Sequence, residues 1–294
     1  MLRPAHLNLI ARHSVRHGIR GGAGLVSLFL TLVIGLYLAS IVLRPLEMVD
    51  RFGDSSDADT EMVAKVNRQV VSIAGKAINW VVEPTDEQFD YLTSEKPAMV
   101  SAILVLLFLA TPFFACLAGF NQTSGDISTR GLRFLLIRTE RANIFIGRFI
   151  GTYLFSALVN LALIAILSIY VAVKLKVHPP GDMVVWLLQG YLRIMVFSLP
   201  YIAVCAWVSC AIESAFGSLV IAWMLTYMFP LIIGQAANIE SSLRYFQYAT
   251  PWGYKYWLLQ PGLSLQFLLG LVVMMAFTAV FLFFGMRYFA KRDL

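Results

Sequence analysis

Six long apolar stretches alternate with polar segments along the chain, and each has about the length of a membrane-spanning helix. A helix needs roughly 20 predominantly apolar residues to cross the hydrocarbon core. The predicted spans are Leu25–Val42, Ala98–Gly119, Phe149–Val173, Val184–Ile212, Phe216–Ile233 and Leu263–Gly285. The first is longer than the apolar core of a signal peptide, so we expect it to remain as a span. The fourth is too long for a straight crossing, and we expect it to kink at Pro200 or to lie partly in the interface.

The remaining segments are predicted to lie outside the hydrocarbon. They are an N-terminal interfacial helix at 1–24, an external loop at 43–97, a cytoplasmic loop at 120–148, an external or re-entrant segment at 234–262 and a cytoplasmic tail at 286–294. In the first of them Arg12, Arg16 and Arg20 are four residues apart and share one helical face. Such a basic amphipathic helix is typical of a segment that rests on membrane lipids and enters the first span at an angle.

The external loop also has a helical pattern. Val66, Val70, Ile73 and Ala77 recur at helical spacing and predict an amphipathic helix at 59–81. This helix forms either a small cap over the outer mouth or a solvated connector that rests on the membrane.

Basic residues in the short flanks indicate which side the termini occupy. One side carries twelve: Arg3, Arg12, Arg16, Arg20, Arg130, Arg133, Arg138, Arg141, Arg148, Arg287, Lys291 and Arg292. The short loops of the other side carry four, which are Lys174, Lys176, Arg244 and Lys255. Because cytoplasmic flanks are enriched in Lys and Arg, both termini are predicted to be cytoplasmic.

Composition agrees with an all-α integral membrane protein. Of the 294 residues, 59% are hydrophobic and 14% are charged, which is outside the range of a soluble domain. The net charge of +6 is not spread along a groove or patch, so we expect no nucleic-acid partner. Cys116, Cys205 and Cys210 fall inside apolar runs and are interpreted as packing residues, with no metal site.

Catalytic and nucleotide-binding patterns are absent from the sequence. No Asp or Glu falls inside the six spans, which argues against proton relays and ion-coupled transport. The chain has no phosphate-binding loop of the GxxxxGK[ST] type, so we expect it to bind no cofactor and to be no enzyme by itself. Arg193 is the one charge inside the predicted spans. With Gln189 one turn before it, it either faces a central cavity or extends to the outer interface.

The cytoplasmic loop Asn121–Arg148 contains the most informative residue order. Asp126, Gly131, Leu135-Leu136, Arg141 and Gly147-Arg148 occur in succession and lead directly into the third span. This order resembles the cytoplasmic signature of the ABC type-2 exporter permeases, which is an acid, Gly-Thr, Leu-Leu, a turn with Arg, and Gly-Lys. Thr250-Pro251-Trp252 resembles the external segment of that family, and the end Phe289–Leu294 resembles its basic tail.

The resemblance implies a half-transporter that pairs with a second copy or with a homologous permease. Each permease would bind one soluble ABC ATPase subunit, two copies in all, and ATP and Mg would lie on that partner. The residues assigned to coupling are Asp126, Arg130, Gly131, Leu135, Leu136, Arg138, Arg141 and Glu213. The residues assigned to a substrate pathway or gate are Gln189, Arg193, Tyr248, Pro251, Trp252 and Tyr256, whose aromatic members also suit an interfacial belt.

Export of an amphipathic, lipid-like, peptide or drug substrate across a bacterial cytoplasmic membrane is the predicted function. The alternative is a membrane scaffold or mechanical transducer, in which ATPase-driven motion acts on an external protein through the loop 43–97. A membrane enzyme is a weaker third reading, because no catalytic constellation is visible.

Overall fold

The computed structural model describes residues 4–53, 72, 75–76, 85–96, 98–128, 132–137, 139–174, 180–262 and 264–292. Within these ranges every regular element is helical. Five helical segments in them are long and apolar enough to cross a membrane, and the bent pair at the N-terminus is a sixth if it counts as one span. The prediction of an all-α, multi-pass membrane protein is therefore confirmed.

The helices are α1 Pro4–Arg20, α2 Gly22–Gly53, α3 Asp86–Asp90, α4 Ala98–Gly119, α5 Ser124–Ser128, α6 Leu132–Leu136, α7 Arg141–Lys174, α8 Pro180–Ala211, α9 Ala215–Trp223, α10 Phe229–Ile239, α11 Lys255–Leu258 and α12 Leu265–Lys291. A π-helical turn, Met224–Met228, joins α9 to α10. Two 3-10 turns, Ser241–Ala249 and Pro251–Tyr254, lead into α11.

Helix α8 is the centre of the bundle and packs against α4, α7 and α12. Helices α4 and α8 are mostly buried, whereas α9, α10 and α12 leave most of their apolar surface uncovered. In a membrane protein such surface contacts lipid or a partner chain.

Helix α1 lies against the start of α7 and meets α2 at an angle of 66°. Two glycines of α7 make this close approach possible. A Cβ atom on Gly147 would lie 2.9 Å from Cβ of Ile10, and one on Gly151 would lie 2.5 Å from Cβ of Ser14. The angled entry predicted for the N-terminal helix is therefore present, while its place at a membrane interface stays a prediction.

Several helix bounds differ from the predicted spans. Helix α2 continues to Gly53, so residues 43–53 of the predicted external loop extend the helix of the first span. Helix α8 begins at Pro180 and includes Pro200 without interruption, since packing on several sides outweighs the lost hydrogen bond. The helix predicted at 59–81 lies almost entirely outside the described residues.

Candidate functional site

The described residues of 4–24, 120–128, 132–137, 139–148, 211–215 and 286–292 lie at one end of the bundle, here called the terminal face. An ion pair joins α5 to α7 there. The guanidinium of Arg148 pairs with the Asp126 carboxylate and also donates to the main-chain oxygen of Gln122. The Arg148 side chain is 15% exposed and that of Asp126 is 37% exposed, so the carboxylate is the accessible half. The pair fixes the start of α7 to the turn that follows α4.

Between α5 and α7, α6 buries one apolar side chain and exposes others. Leu132 is only 1% exposed and belongs to the main core, and Leu136 is partly buried against the same core. Leu135 is 39% exposed, and Ile137, just after the helix, is 81% exposed. An apolar side chain this exposed in a short helix is a candidate contact for a partner protein.

Arg130, Gly131 and Arg138, which were also predicted to contact the ATPase, lie outside the described residues. Ile137 was absent from the predicted set. Its exposure depends on the turn at the end of α6, which the apolar run alone does not indicate.

Arg141 contacts the last helix of its own chain. Its Nη1 donates to the main-chain oxygens of Phe289 at 3.2 Å, Ala290 at 2.9 Å and Arg292 at 2.6 Å. The carbonyl groups of the last helical turn lack partners within the helix, and a cation there is favourable. Arg141 therefore caps the C-terminal end of α12.

Glu213, which was also assigned to coupling, is bonded to the same C-terminal segment. Arg292 donates to Oε1 of Glu213 at 2.9 Å and to the main-chain oxygen of Cys210. The turn between α8 and α9 is thus linked through Arg292 to the start of α7. Glu213 remains exposed enough to contact a partner.

Helix α1 reaches the same network. Nδ1 of His6 lies 3.0 Å from Oγ1 of Thr139, which precedes α7. Deeper in the bundle, Oγ1 of Thr123 lies 2.7 Å from Oγ of Ser209 and joins the end of α4 to α8. The described part of the loop between α4 and α7 is therefore attached to α1, α8 and α12.

At the opposite end of the bundle, Arg193 is buried against aromatic rings. Its Cζ lies 5.2 Å from the Trp186 ring centroid and 5.7 Å from that of Phe267. Its Nη2 donates to the main-chain oxygen of Gln260 at 3.2 Å, while Nη1 has no hydrogen-bond partner within the described part of the chain. The adjoining cavity, about 10 Å³, has room for a single water.

Gln189 does not join Arg193 in a common cavity, because its side chain is exposed on α8. The predicted aromatic segment packs onto the bundle instead. The ring centroids of Trp252 and Phe197 are 6.2 Å apart. In addition, Nε2 of Gln88 donates a hydrogen bond to the main-chain oxygen of Tyr256.

Pro251 is buried, and Tyr248 is exposed and contacts Tyr254 with their centroids 5.6 Å apart. A gate at this end stays a prediction.

No group of three His, Cys, Asp or Glu side chains with the arrangement of a metal site occurs among the described residues. The thiols of Cys116 and Cys205 are buried with their sulfur atoms 3.7 Å apart. Both are free thiols in the structure.

Comparison with known families agrees with this arrangement. The chain matches the family described as "ABC-2 family transporter protein" over residues 9–294. No match is found among curated proteins. Because the family match extends over nearly the whole chain, the protein belongs to the ABC-2 family of transporter permeases.

Proposed function

We propose that this chain is the membrane subunit of an exporter driven by a separate soluble ATPase. Membrane subunits of this family typically have no nucleotide site of their own. Two copies, or this chain and a homologous permease, form the pathway, and each binds one ATPase subunit that carries ATP and Mg. The terminal face lies in the cytoplasm of a bacterium, and an amphipathic, lipid-like, peptide or drug substrate moves outward.

The exposure of Leu135 and Ile137 is the observation that supports this function best. Leu135 lies on the short helix α6 and Ile137 directly follows it, and the flanks of this segment are fixed by the Asp126–Arg148 pair and by Arg141. A hydrophobic groove on the ATPase surface would bind them, as apolar anchors carry most of the energy of a protein interface.

The structure of α7 offers a means of transmitting ATPase closure into the membrane. The helix runs without interruption from Arg141 to Lys174, a length of about 50 Å at 1.5 Å per residue. A rigid rod held at its first residue tilts as a whole when that end is displaced. Through Arg141 and Arg292 the same displacement reaches α12 and the turn after α8.

Purification from the native host in mild detergent, followed by mass spectrometry, tests the proposal. We expect a soluble subunit with a GxxxxGK[ST] loop to accompany the tagged wild-type chain and to be lost with Ile137→Asp. If no such subunit accompanies the wild-type chain while other membrane complexes stay intact, the proposal is wrong.

A further inference from the structure

Three exposed arginines form a row on helix α1. Arg12, Arg16 and Arg20 are four residues apart, so they share one face of the helix at intervals of about 6 Å. None of the three has an ion pair or a hydrogen bond with the residues that the structure describes. Helix α1 contains no Asp or Glu that would neutralise them. The arginine row therefore presents three unpaired positive charges.

The packing of α1 directs this row away from the bundle. A Cβ atom on Gly151 of α7 would lie 3.1 Å from Cα of Ala11, which is buried. A Cβ atom on Gly18 would lie 2.9 Å from Cδ2 of Phe155, so α1 and α7 stay in contact nearly to the end of α1. The arginines lie on the other side of α1, where the side chains are exposed.

The contact between Gly18 and Phe155 relates the arginine row to the apolar surface of α7. Leu154, which precedes Phe155, is the first exposed residue of α7, and Leu158 one turn later is exposed as well. The apolar surface that α7 offers to lipid chains therefore begins beside the end of the row.

Helix α2 shows the same boundary. Leu25, Val26 and Phe29 follow the row closely in sequence and are about half exposed or more. Because α2 departs from α1 at 66°, the row does not continue along the span. On both neighbouring helices, exposed apolar surface begins where the row ends. A bilayer has its headgroups at the edge of the hydrocarbon, so the row is level with them.

We propose that the arginine row of α1 binds the phosphate groups of anionic phospholipids in the leaflet on the side of the termini. Arginine donates several hydrogen bonds to phosphate oxygens, and an anionic leaflet attracts cations that lie near its surface.

Two apolar side chains on the same exposed face favour a lipid surface over an acidic protein. Leu9 is 74% exposed and Ile19 is 47% exposed. In an interfacial helix such side chains enter the boundary between headgroups and acyl chains, while the arginines stay among the headgroups. A purely acidic protein surface would leave both without an apolar contact. The binding belongs to the isolated chain and needs no ATPase subunit, so it is tested separately from the exporter function.

Helix α12 provides a matched control at the same end of the molecule. Arg287 and Lys291 are also four residues apart and exposed. Helix α12 runs along its span, so Lys291 lies one turn beyond Arg287 and farther from the lipid. Arg12→Gln/Arg16→Gln and Arg287→Gln/Lys291→Gln each remove two positive charges from the terminal face, and Arg12→Lys/Arg16→Lys keeps both charges on α1.

The experiment titrates the detergent-purified full chain with phosphatidylglycerol or phosphatidylcholine and measures bound lipid by native mass spectrometry. We expect wild type to bind phosphatidylglycerol more tightly than phosphatidylcholine. Arg12→Gln/Arg16→Gln should weaken binding of phosphatidylglycerol about thirtyfold, because each arginine near an anionic surface contributes roughly fivefold. Its binding of phosphatidylcholine should be that of wild type.

The other two variants decide whether the row is a specific site. Arg12→Lys/Arg16→Lys should retain most of the preference for phosphatidylglycerol, and Arg287→Gln/Lys291→Gln should lose at most about threefold, as expected from screened charge alone. Equal losses in the two neutralised variants would overturn the proposal, since net charge would then explain the binding. An unchanged affinity in Arg12→Gln/Arg16→Gln would also overturn it. If that variant instead lost a co-purified ATPase subunit, the row would be a protein contact.

Discussion

Nη1 of Arg141 donates to the main-chain oxygen of Ala290 at 2.9 Å, so the first residue of α7 holds the end of the last helix. In the sequence, Arg141 is a basic residue of the loop that is predicted to contact the ATPase. In the structure it joins two helices of one chain. Its contribution to transport is therefore expected to include the integrity of the terminal face.

Arg141→Ala removes this cap, and we expect the purified chain to lose about 1–2 kcal/mol of unfolding free energy. Thermal unfolding in detergent measures the loss. Arg287→Ala is the matched control, because Arg287 is an exposed arginine on the same last helix. If Arg141 served only to contact the ATPase, both variants would unfold at the wild-type temperature.

Ile137→Asp places a charge at an apolar residue that is 81% exposed, the highest value among the described apolar side chains between α4 and α7. We expect the chain to insert and unfold as wild type, while ATPase stimulation by the permease falls at least about tenfold, as for an interface anchor. The measurement is ATP hydrolysis by the reconstituted complex. Ile137→Leu should retain stimulation.

Leu132 and Leu136 serve as a contrast to Ile137. Leu132→Asp should prevent folding, because that side chain is 1% exposed. Leu136→Asp should lose both stability and coupling, since Leu136 packs against the core. Normal ATPase stimulation in Leu135→Asp and Ile137→Asp together would remove the assigned role of this helix.

The helices follow from the sequence because an apolar run of spanning length has one stable backbone conformation in lipid. Ala98–Gly119 was predicted as a span, and α4 has the same bounds. The roles of single residues do not follow in this way. Leu135 and Leu136 are adjacent and identical in type, yet Leu136 packs against the main core and Leu135 is 39% exposed. Which side of α6 faces the core depends on tertiary packing, which the local sequence does not indicate.

Arg141 and Arg292 show the same limit for charged residues. Both were interpreted from a basic flank, where any arginine satisfies the positive-inside rule, and from the resemblance to a permease family. Their acceptors are main-chain carbonyls about 150 and 80 residues away in sequence. Every residue has a main-chain oxygen, so the sequence does not show which one accepts a hydrogen bond. Only the packed structure indicates which arginine has a specific partner.

The Asp126–Arg148 pair is expected to be energetically coupled. Asp126→Asn and Arg148→Gln each leave one partner without its ion pair, and each should cost about 2 kcal/mol. In the double variant the losses should be less than additive by about 1 kcal/mol or more. A double-mutant cycle on thermal unfolding gives this coupling energy, and a value of zero would mean that the two groups act independently.

Gly151 is expected to tolerate no larger side chain, because α1 occupies the space over it. A Cβ atom there would lie 2.7 Å from the main-chain oxygen of Ala11. Gly151→Leu should therefore separate α1 from α7 and cost about 3 kcal/mol or more. Gly181→Leu, which meets open space, should unfold as wild type. Equal melting temperatures for the two variants would show that α1 does not pack on α7.

Arg193→Leu tests whether the buried arginine holds the segment before α12 in place. The substitution removes the hydrogen bond to Gln260 and the contacts with Trp186 and Phe267. If the free energy of local unfolding of this segment falls by about 1–2 kcal/mol, the fraction of molecules in which the segment is locally unfolded rises roughly tenfold. The rate of cleavage by chymotrypsin, which cuts after aromatic residues, measures this change, because Tyr245, Phe246 and Tyr248 are exposed within the segment.

Gln189→Leu is the control for Arg193→Leu, since Gln189 lies one turn away on α8 and is exposed. We expect cleavage at the wild-type rate in this variant. Faster cleavage confined to Arg193→Leu would assign the arginine a structural role at this end of the bundle. Equal rates in both variants, combined with lost export in Arg193→Leu, would instead favour direct contact between Arg193 and the substrate.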